Sequence, residues 1–332
     1  MKKLTILYVT FVLIMIGFIN SFAGVQSDSL KSNLVFADTI IKIEANPKQG
    51  FNYPYYLRIP KGLNKSDVKY LLVETNNTGV NDTIQFHEQV AYLQIKRNSL
   101  GSSLCSNLKI PFLMPVFPRP QKNDGNIYTH AFDRDAAMID KGEMKRLDLQ
   151  LIAMIENARV VLSNYEISIK EKILINGFSA SGTFANRFTL IQPEIVAGVA
   201  CGGINAIAIL PIAKLEEKKL KYPLGIFDFE ALFAAKFNIA AYQQVPQFIY
   251  MGEKDTNDAV LFDDAYSNSE RKMIYQLLGK TMIPDRFIHC EQIYRNNNVN
   301  STFKIYPDIG HETEQTIFLD VYTFFKNIIS QI

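Results

Sequence analysis

The strongest chemical signal in this chain is a serine flanked by small residues. The segment Gly177-Phe178-Ser179-Ala180-Ser181 comes just after the short apolar run 173–175, and the segment 183–190 comes soon after it. The run predicts a buried strand and 183–190 predicts a helix, so Ser179 would lie on a sharp strand-to-helix turn. Such a turn exposes a nucleophilic hydroxyl, and the helix N-terminus stabilises the negative charge that develops during acyl transfer.

The motif departs at one position from the common Gly-x-Ser-x-Gly pattern. Ser181 stands where a second glycine is usual, and serine is the mildest change because this position demands a small side chain. Ser181 is itself a poor candidate for the nucleophile, because Ser179 rather than glycine lies two residues before it. The alternative is a small-residue turn without chemistry, since short motifs also occur by chance.

A nucleophilic serine needs a base to accept its proton and an acid to orient that base. In folds with this type of turn the chain order is serine, acid, histidine, each on a loop after a strand. Of the four histidines, His311 lies in a loop after the strand predicted at 303–306, which makes it the candidate base. His289 also follows the serine, but its surroundings are more typical of a structural segment. A surface histidine without a role is the alternative for His311.

The candidate acid is Asp255, which lies three residues after Gly252 in the loop behind the strand predicted at 248–251. Asp258 in the same loop is the second candidate. Loop aspartates often serve only as turn formers, and this is the alternative for both residues.

An oxyanion hole requires two backbone N–H groups. We expect one from Ala180, which follows the candidate nucleophile. We expect the other from the loop 75–79, where Asn76 and Asn77 are the candidate residues. An ordinary Asx turn is the alternative for this loop.

Short apolar strands alternate with helices along the chain. Strands are predicted at 40–44, 53–59, 70–74, 111–116, 173–175, 196–201, 248–251 and 303–306, and helices at 82–93, 147–162, 183–190 and 314–329. This alternation predicts an α/β fold with a mostly parallel central sheet that is covered by helices on both faces.

The segment 205–244 between two predicted core strands is longer than an ordinary connection. We expect it to form a helical insert that caps the sheet edge within a single domain, 24–332. Its phenylalanines either line a substrate site or form one core-facing helix stripe.

The N-terminus has the pattern of a signal peptide. Lys2 and Lys3 precede the apolar run 4–19, and Ser21-Phe22-Ala23 predicts cleavage before Gly24. An uncleaved anchor is the alternative, but the run is shorter than the roughly 20 residues of a membrane-spanning helix. We therefore expect a periplasmic or secreted protein without stable membrane insertion after cleavage.

Charge and cysteine content exclude other classes of protein. The 35 basic side chains include Lys2 and Lys3, so loss of residues 1–23 would leave as many basic as acidic side chains. A neutral chain without a dense basic patch argues against nucleic-acid binding. Cys105, Cys201 and Cys290 lack the spacing of metal ligands, and they form either one disulfide and one thiol or three buried thiols.

Together these residues resemble the α/β-hydrolase superfamily over nearly all of the mature chain. The segment 177–182 followed by Asn186-Arg187-Phe188 is similar to the nucleophile turn of secreted serine esterases such as polyhydroxybutyrate depolymerases and feruloyl esterases. The loop 74–79 replaces the His-Gly-Gly loop of many lipases, which leaves the substrate class open. The resemblance implies Ser179 as nucleophile, His311 as base and Asp255 as acid.

One further segment, 128–135, follows the strand predicted at 111–116 and should lie at the same edge of the sheet. His130 and Arg134 are candidate contacts for a polar or acidic group of the substrate. The alternative is an internal pair of Arg134 with Asp133 or Asp135 that pins the loop.

These features predict an exported serine hydrolase that cleaves a small or polymeric carboxylic ester and requires no metal or organic cofactor. A peptidase or other acyl hydrolase on the same scaffold is one alternative, because fold and catalytic residues are shared between such enzymes. A catalytically silent binding protein of this fold is the other.

Overall fold

The computed structural model of the protein describes residues 37–120, 127–205, 207–262 and 265–331, so the predicted signal peptide lies outside the described residues. The strands are β1 (Thr39–Ile43), β2 (Tyr55–Ile59), β3 (Leu72–Val73), β4 (Phe112–Pro115), β5 (Ile173–Phe178), β6 (Val196–Gly202), β7 (Lys214–Leu215), β8 (Lys218–Lys219), β9 (Gln247–Gly252) and β10 (Ser301–Tyr306). The α-helices are α1 (Ile84–Leu93), α2 (Leu100–Leu108), α3 (Arg134–Met138), α4 (Leu147–Ser163), α5 (Ala180–Ile191), α6 (Phe229–Phe233), α7 (Ile239–Gln244), α8 (Asn268–Leu278), α9 (Phe287–Asn296) and α10 (Gln315–Ser330).

Eight of these strands form the central sheet in the order β1-β2-β4-β3-β5-β6-β9-β10. The pairs β1–β2 and β2–β4 are antiparallel, and every other neighbouring pair is parallel. The structure thus confirms the predicted α/β class with a mostly parallel sheet.

Both faces of the sheet are covered, as the apolar character of its central strands predicts. Successive strand residues point to opposite faces. Leu174 therefore packs in one apolar cluster with residues of α2 and α10, whereas Ile175 packs in the other with residues of α4 and α5. This two-sided burial fixes the register of β5 and with it the point where the chain turns into α5.

The helix α2 was not expected from the sequence. Its residues include glycine and several serines, which have poor helix propensity, and packing against β5 and α10 overrides that preference. The local signal that could have revealed it is Ser99, whose side chain accepts a hydrogen bond from the Ser102 N–H at 3.0 Å and so caps the helix.

The segment 205–244 contains the hairpin β7–β8 and the two short helices α6 and α7. Phe229 and Phe233 are buried in the core cluster, whereas Phe227 is partly exposed. The capping role of this segment stays a prediction.

The three cysteines are separate buried thiols, which matches the second of the two expectations. Among the helices of the described ranges, none combines the length and the apolar character that crossing a membrane requires.

Candidate active site

The turn between β5 and α5 holds Ser179 in a strained conformation. Its backbone has φ 62° and ψ −128°, which non-glycine residues rarely adopt. The Ser179 N–H donates to the Gly202 carbonyl at 2.9 Å, and the Thr183 N–H donates to the Ser179 carbonyl at 3.0 Å. The structure therefore places Ser179 on the sharp strand-to-helix turn that the sequence predicted.

The glycines around Ser179 leave no space for a side chain. A Cβ at Gly177 would lie 2.2 Å from the Ser181 carbonyl oxygen, and one at Gly182 would lie 2.4 Å from the Gly202 carbonyl oxygen. Helix α5 consequently begins in direct backbone contact with the sheet, which is why small residues are required here.

Ser181 braces this turn. Its hydroxyl donates to the Phe178 carbonyl at 2.8 Å and accepts from the Phe178 N–H at 3.0 Å. A serine in place of the usual glycine thus adds two hydrogen bonds to the residue before Ser179. This use of its hydroxyl agrees with the expectation that Ser181 is not the nucleophile.

The structure brings His311 and Asp255 into direct contact. His311 Nδ1 lies 2.7 Å from Asp255 Oδ2, and the Asp255 side chain is almost completely buried. The His311 ring also packs on Phe178, with 4.9 Å between the ring centroids. The imidazole therefore lies beside the residue that precedes Ser179.

The second ring nitrogen of His311 contacts an amide rather than a hydroxyl. Asn257 Nδ2 lies 3.1 Å from His311 Nε2, and the Ser179 hydroxyl makes no hydrogen bond to any of the described residues. An Nδ1–H that donates to Asp255 leaves a lone pair on Nε2, and the Asn257 amide donates to it. This tautomer is the one that a general base requires.

Asp258, the second candidate acid, points away from His311. Its carboxylate pairs with Arg286 at 2.5 Å and accepts a hydrogen bond from the Val260 N–H at 3.0 Å. Arg286 is completely buried, so this ion pair anchors the loop that carries Asp255.

The N–H groups of the predicted oxyanion residues differ in how they are engaged. Ala180 is the first residue of the helix, where N–H groups have no intrahelical partner. The Asn77 N–H donates to Gln94 Oε1 at 3.3 Å. The Asn76 backbone N–H has no hydrogen-bond partner among the described residues, so it is the better donor of the two asparagines.

His130 and Arg134 are both engaged by other groups of the protein. His130 is completely buried, and its ring nitrogens face the carbonyl oxygens of Phe117 at 2.9 Å and Thr78 at 3.2 Å. Burial lowers the pKa of His130 to about 3. Arg134 forms an ion pair with Asp228 at 2.6 Å rather than with either neighbouring aspartate. This geometry favours structural roles for both residues, and their contact with a substrate stays a prediction.

Glu74 is a buried carboxyl that sequence analysis did not single out. It accepts hydrogen bonds from the Gly101 N–H at 2.9 Å and from the Asn176 side chain. Burial raises the pKa of Glu74 to about 7. The carboxyl links the chain just before the loop 75–79 to β5 and to the start of α2, a pairing that no local pattern reveals.

The architecture is shared with solved structures of low sequence identity. Poly(aspartic acid) hydrolase-1 from Sphingomonas sp. KT-1 aligns with a TM-score of 0.56 and 14% identity over 87% of this chain and 97% of that one. LpqC, a poly(3-hydroxybutyrate) depolymerase from Bordetella parapertussis, aligns with a TM-score of 0.54 and 15% identity over 88% of this chain and 89% of that one. No protein-family model and no curated protein sequence matches the chain. The protein has the α/β-hydrolase fold that the sequence resemblance implied.

The Glu74 carboxyl predicts a pH-dependent stability. Because its pKa rises from 4.5 to about 7 on folding, the folded state retains a proton that the unfolded state releases in this interval. Glu74 therefore costs more stability as the pH rises from about 4.5 to about 7, by up to about 1.4 kcal/mol per pH unit. Glu74→Gln cannot ionise, so it should gain stability over the wild type across this interval in urea unfolding. Glu217→Gln on the surface is the control. If the free energy of unfolding of Glu74→Gln changed with pH in parallel with that of the wild type, this would contradict the raised pKa of Glu74.

Proposed function

We propose that this protein is a serine hydrolase that cleaves a carboxylic ester through an acyl-enzyme. The observation that carries the proposal is the buried Asp255–His311 contact beside the strained turn of Ser179. A strained backbone lowers the stability of the fold, and a buried carboxylate that binds a histidine costs solvation free energy. The two features occur together where a nucleophile is activated.

In the acylation step the Ser179 hydroxyl attacks the ester carbonyl carbon, and His311 Nε2 accepts its proton. Asp255 holds Nδ1–H and stabilises the imidazolium. For this transfer the Ser179 hydroxyl takes the place at Nε2 that the Asn257 amide occupies in the free protein. The imidazolium then returns the proton to the departing alkoxide, which leaves as the alcohol. In the deacylation step water attacks the acyl carbonyl carbon while His311 accepts its proton. The imidazolium then returns the proton to the Ser179 oxygen, and the carboxylic acid is released.

The tetrahedral intermediates of both steps carry their negative charge on the former carbonyl oxygen. The N–H groups of Ala180 and Asn76 are the proposed donors to this oxygen. Ala180 adds the favourable field of the α5 N-terminus.

An ester is the proposed substrate because an alcohol leaves with less help from a general acid than an amine does. The proposed ester is either a small molecule or a polymer. A poly(3-hydroxybutyrate) depolymerase among the structures of the same fold supports a polymeric ester. The poly(aspartic acid) hydrolase of the same fold favours amide cleavage as the second candidate, and a panel of matched aryl esters and anilides distinguishes the two.

One prediction concerns the nucleophile. Ser179→Ala should remove covalent labelling by a fluorophosphonate and lower kcat by about 10³-fold or more, because the reaction loses its nucleophile. Ser181→Ala is the control, since it removes only a brace of the turn, and it should keep both labelling and hydrolysis. Labelling that survives in Ser179→Ala and disappears in Ser181→Ala would overturn the assignment. A wild-type protein that is neither labelled nor active would support the silent binding protein.

Another prediction separates the two aspartates by two measurements, kcat and the free energy of unfolding. Asp255→Asn should lower kcat steeply, by up to about 10⁴-fold, because the amide cannot stabilise the imidazolium and favours the wrong tautomer. Asp258→Asn should keep most of kcat at low temperature but lower the free energy of unfolding by roughly 3–5 kcal/mol, because Arg286 remains buried without its partner. The opposite pattern would identify Asp258 as the acid.

Export is proposed from the N-terminal sequence. The chain expressed in a bacterial host should be recovered outside the cytoplasm with Gly24 at its N-terminus, because Ala23 ends the predicted cleavage site. N-terminal sequencing of the exported fraction checks this. A chain that begins at Met1 and sediments with membranes would favour the anchor.

A further inference from the structure

The loop after β3 is held by side chains that lie far away in the sequence. The loop 75–79, which we call the oxyanion loop, follows Glu74 directly and contains both candidate asparagines. The side chain of Asn76 donates to the Phe117 carbonyl at 2.9 Å and accepts from the Phe117 N–H at 3.0 Å. This double hydrogen bond fixes the side chain of Asn76 but does not fix its peptide groups.

The peptide groups on both sides of Asn77 are fixed by Gln94. The Asn77 N–H donates to Gln94 Oε1 at 3.3 Å, and Gln94 Nε2 donates to the Asn77 carbonyl at 2.7 Å. The two backbone partners also determine which end of the Gln94 amide is nitrogen, because only an N–H can donate to the carbonyl. One side chain thus satisfies the donor and the acceptor of one loop residue.

We propose that Gln94 is a positioning residue that orients the oxyanion loop for catalysis. This inference rests on the proposed function. The Asn77 N–H belongs to the peptide between Asn76 and Asn77, so Gln94 fixes the orientation of that peptide. The carbonyl of the same peptide, which belongs to Asn76, therefore points away from Gln94, and the peptide cannot rotate freely. With the Asn76 side chain fixed as well, only a narrow range of directions is left for the Asn76 N–H.

The position of Gln94 in its helix fits this role. Helix α1 ends at Leu93, and Gln94–Asn98 continues as a π-helical turn. A π-helical turn changes the direction of side chains relative to the preceding α-helix and is frequent at functional sites. Asn77 also points its side-chain Nδ2 at the Phe178 carbonyl, 3.5 Å away, so the residue that Gln94 holds lies next to the turn of Ser179.

The test is to substitute Gln94 without changing its size. Gln94→Glu keeps an acceptor for the Asn77 N–H but places a second oxygen against the Asn77 carbonyl, whereas Gln94→Met removes both hydrogen bonds without adding charge. A misoriented donor is less severe than a deleted one, which costs about 10²–10³ in kcat. We therefore expect kcat to fall by about 10- to 100-fold in both variants with KM little changed.

A transition-state analogue distinguishes positioning from general damage. A trifluoromethyl ketone forms a tetrahedral adduct with Ser179 whose oxygen needs the oxyanion hole, so its affinity should fall in proportion to kcat/KM. The alcohol product needs no oxyanion donor, and its affinity should stay unchanged. The matched control is Gln243→Glu, because Gln243 Nε2 also donates to a backbone carbonyl, that of Asn297 at 2.8 Å. It should leave kcat and both affinities at wild-type values.

Hydrogen exchange of the Asn77 amide tests the same contact without any substrate. This N–H should exchange slowly in the wild type and at least tenfold faster in Gln94→Met, while the melting temperature is retained. Wild-type kcat and inhibitor affinity in folded Gln94→Met would overturn the inference and leave the proposed function intact. Absence of labelling and hydrolysis in the wild type would reject the proposed function, and an unprotected Asn77 N–H would then reject the Gln94 contact separately.

Discussion

The site depends on how closely helix α5 approaches the sheet. A Cβ at Gly182 would collide with the Gly202 carbonyl oxygen, and a Cβ at Gly177 would collide with the Ser181 carbonyl oxygen. With no side chains between the start of the helix and the strand ends, the chain passes from β5 into α5 through a single residue. Ser179 occupies that residue with a positive φ, and packing on both faces of the sheet compensates for the strain.

The loops of Asp255 and His311 are joined through backbone contacts of the same kind. The strands β9 and β10 are parallel neighbours, so their following loops meet at one edge of the sheet. A Cβ at Gly252 would lie 2.3 Å from the Gly310 carbonyl oxygen, which shows how tightly the two loops pack. The buried Asp258–Arg286 pair then anchors the first of them, so the Asp255–His311 distance is set by rigid surroundings rather than by the loops themselves.

Buried polar groups hold the opposite side of the site. Gln94 donates to the Asn77 carbonyl and His130 Nδ1 faces the Thr78 carbonyl, whereas Glu74, which directly precedes the loop, accepts from the Gly101 N–H at the start of α2. Burial lowers the pKa of His130 and raises that of Glu74, so both side chains favour their neutral forms. They thereby avoid the full free-energy cost of a buried charge. These contacts restrict the orientation of the loop, which is the preorganisation that the proposed oxyanion role requires.

The sequence by itself determined the strands of the sheet, the turn at Ser179 and the order of Ser179, Asp255 and His311, because strand periodicity and the sterics of small residues are local properties. Only the tertiary structure decided that Asp258 pairs with Arg286, that Arg134 pairs with Asp228 and that Gln94 holds Asn77. The residues of the Arg134–Asp228 pair lie 94 positions apart, and their contact depends on the order and the twist of strands between them. Local patterns carry no information about that order, so partners across the fold appear only once the sheet is assembled.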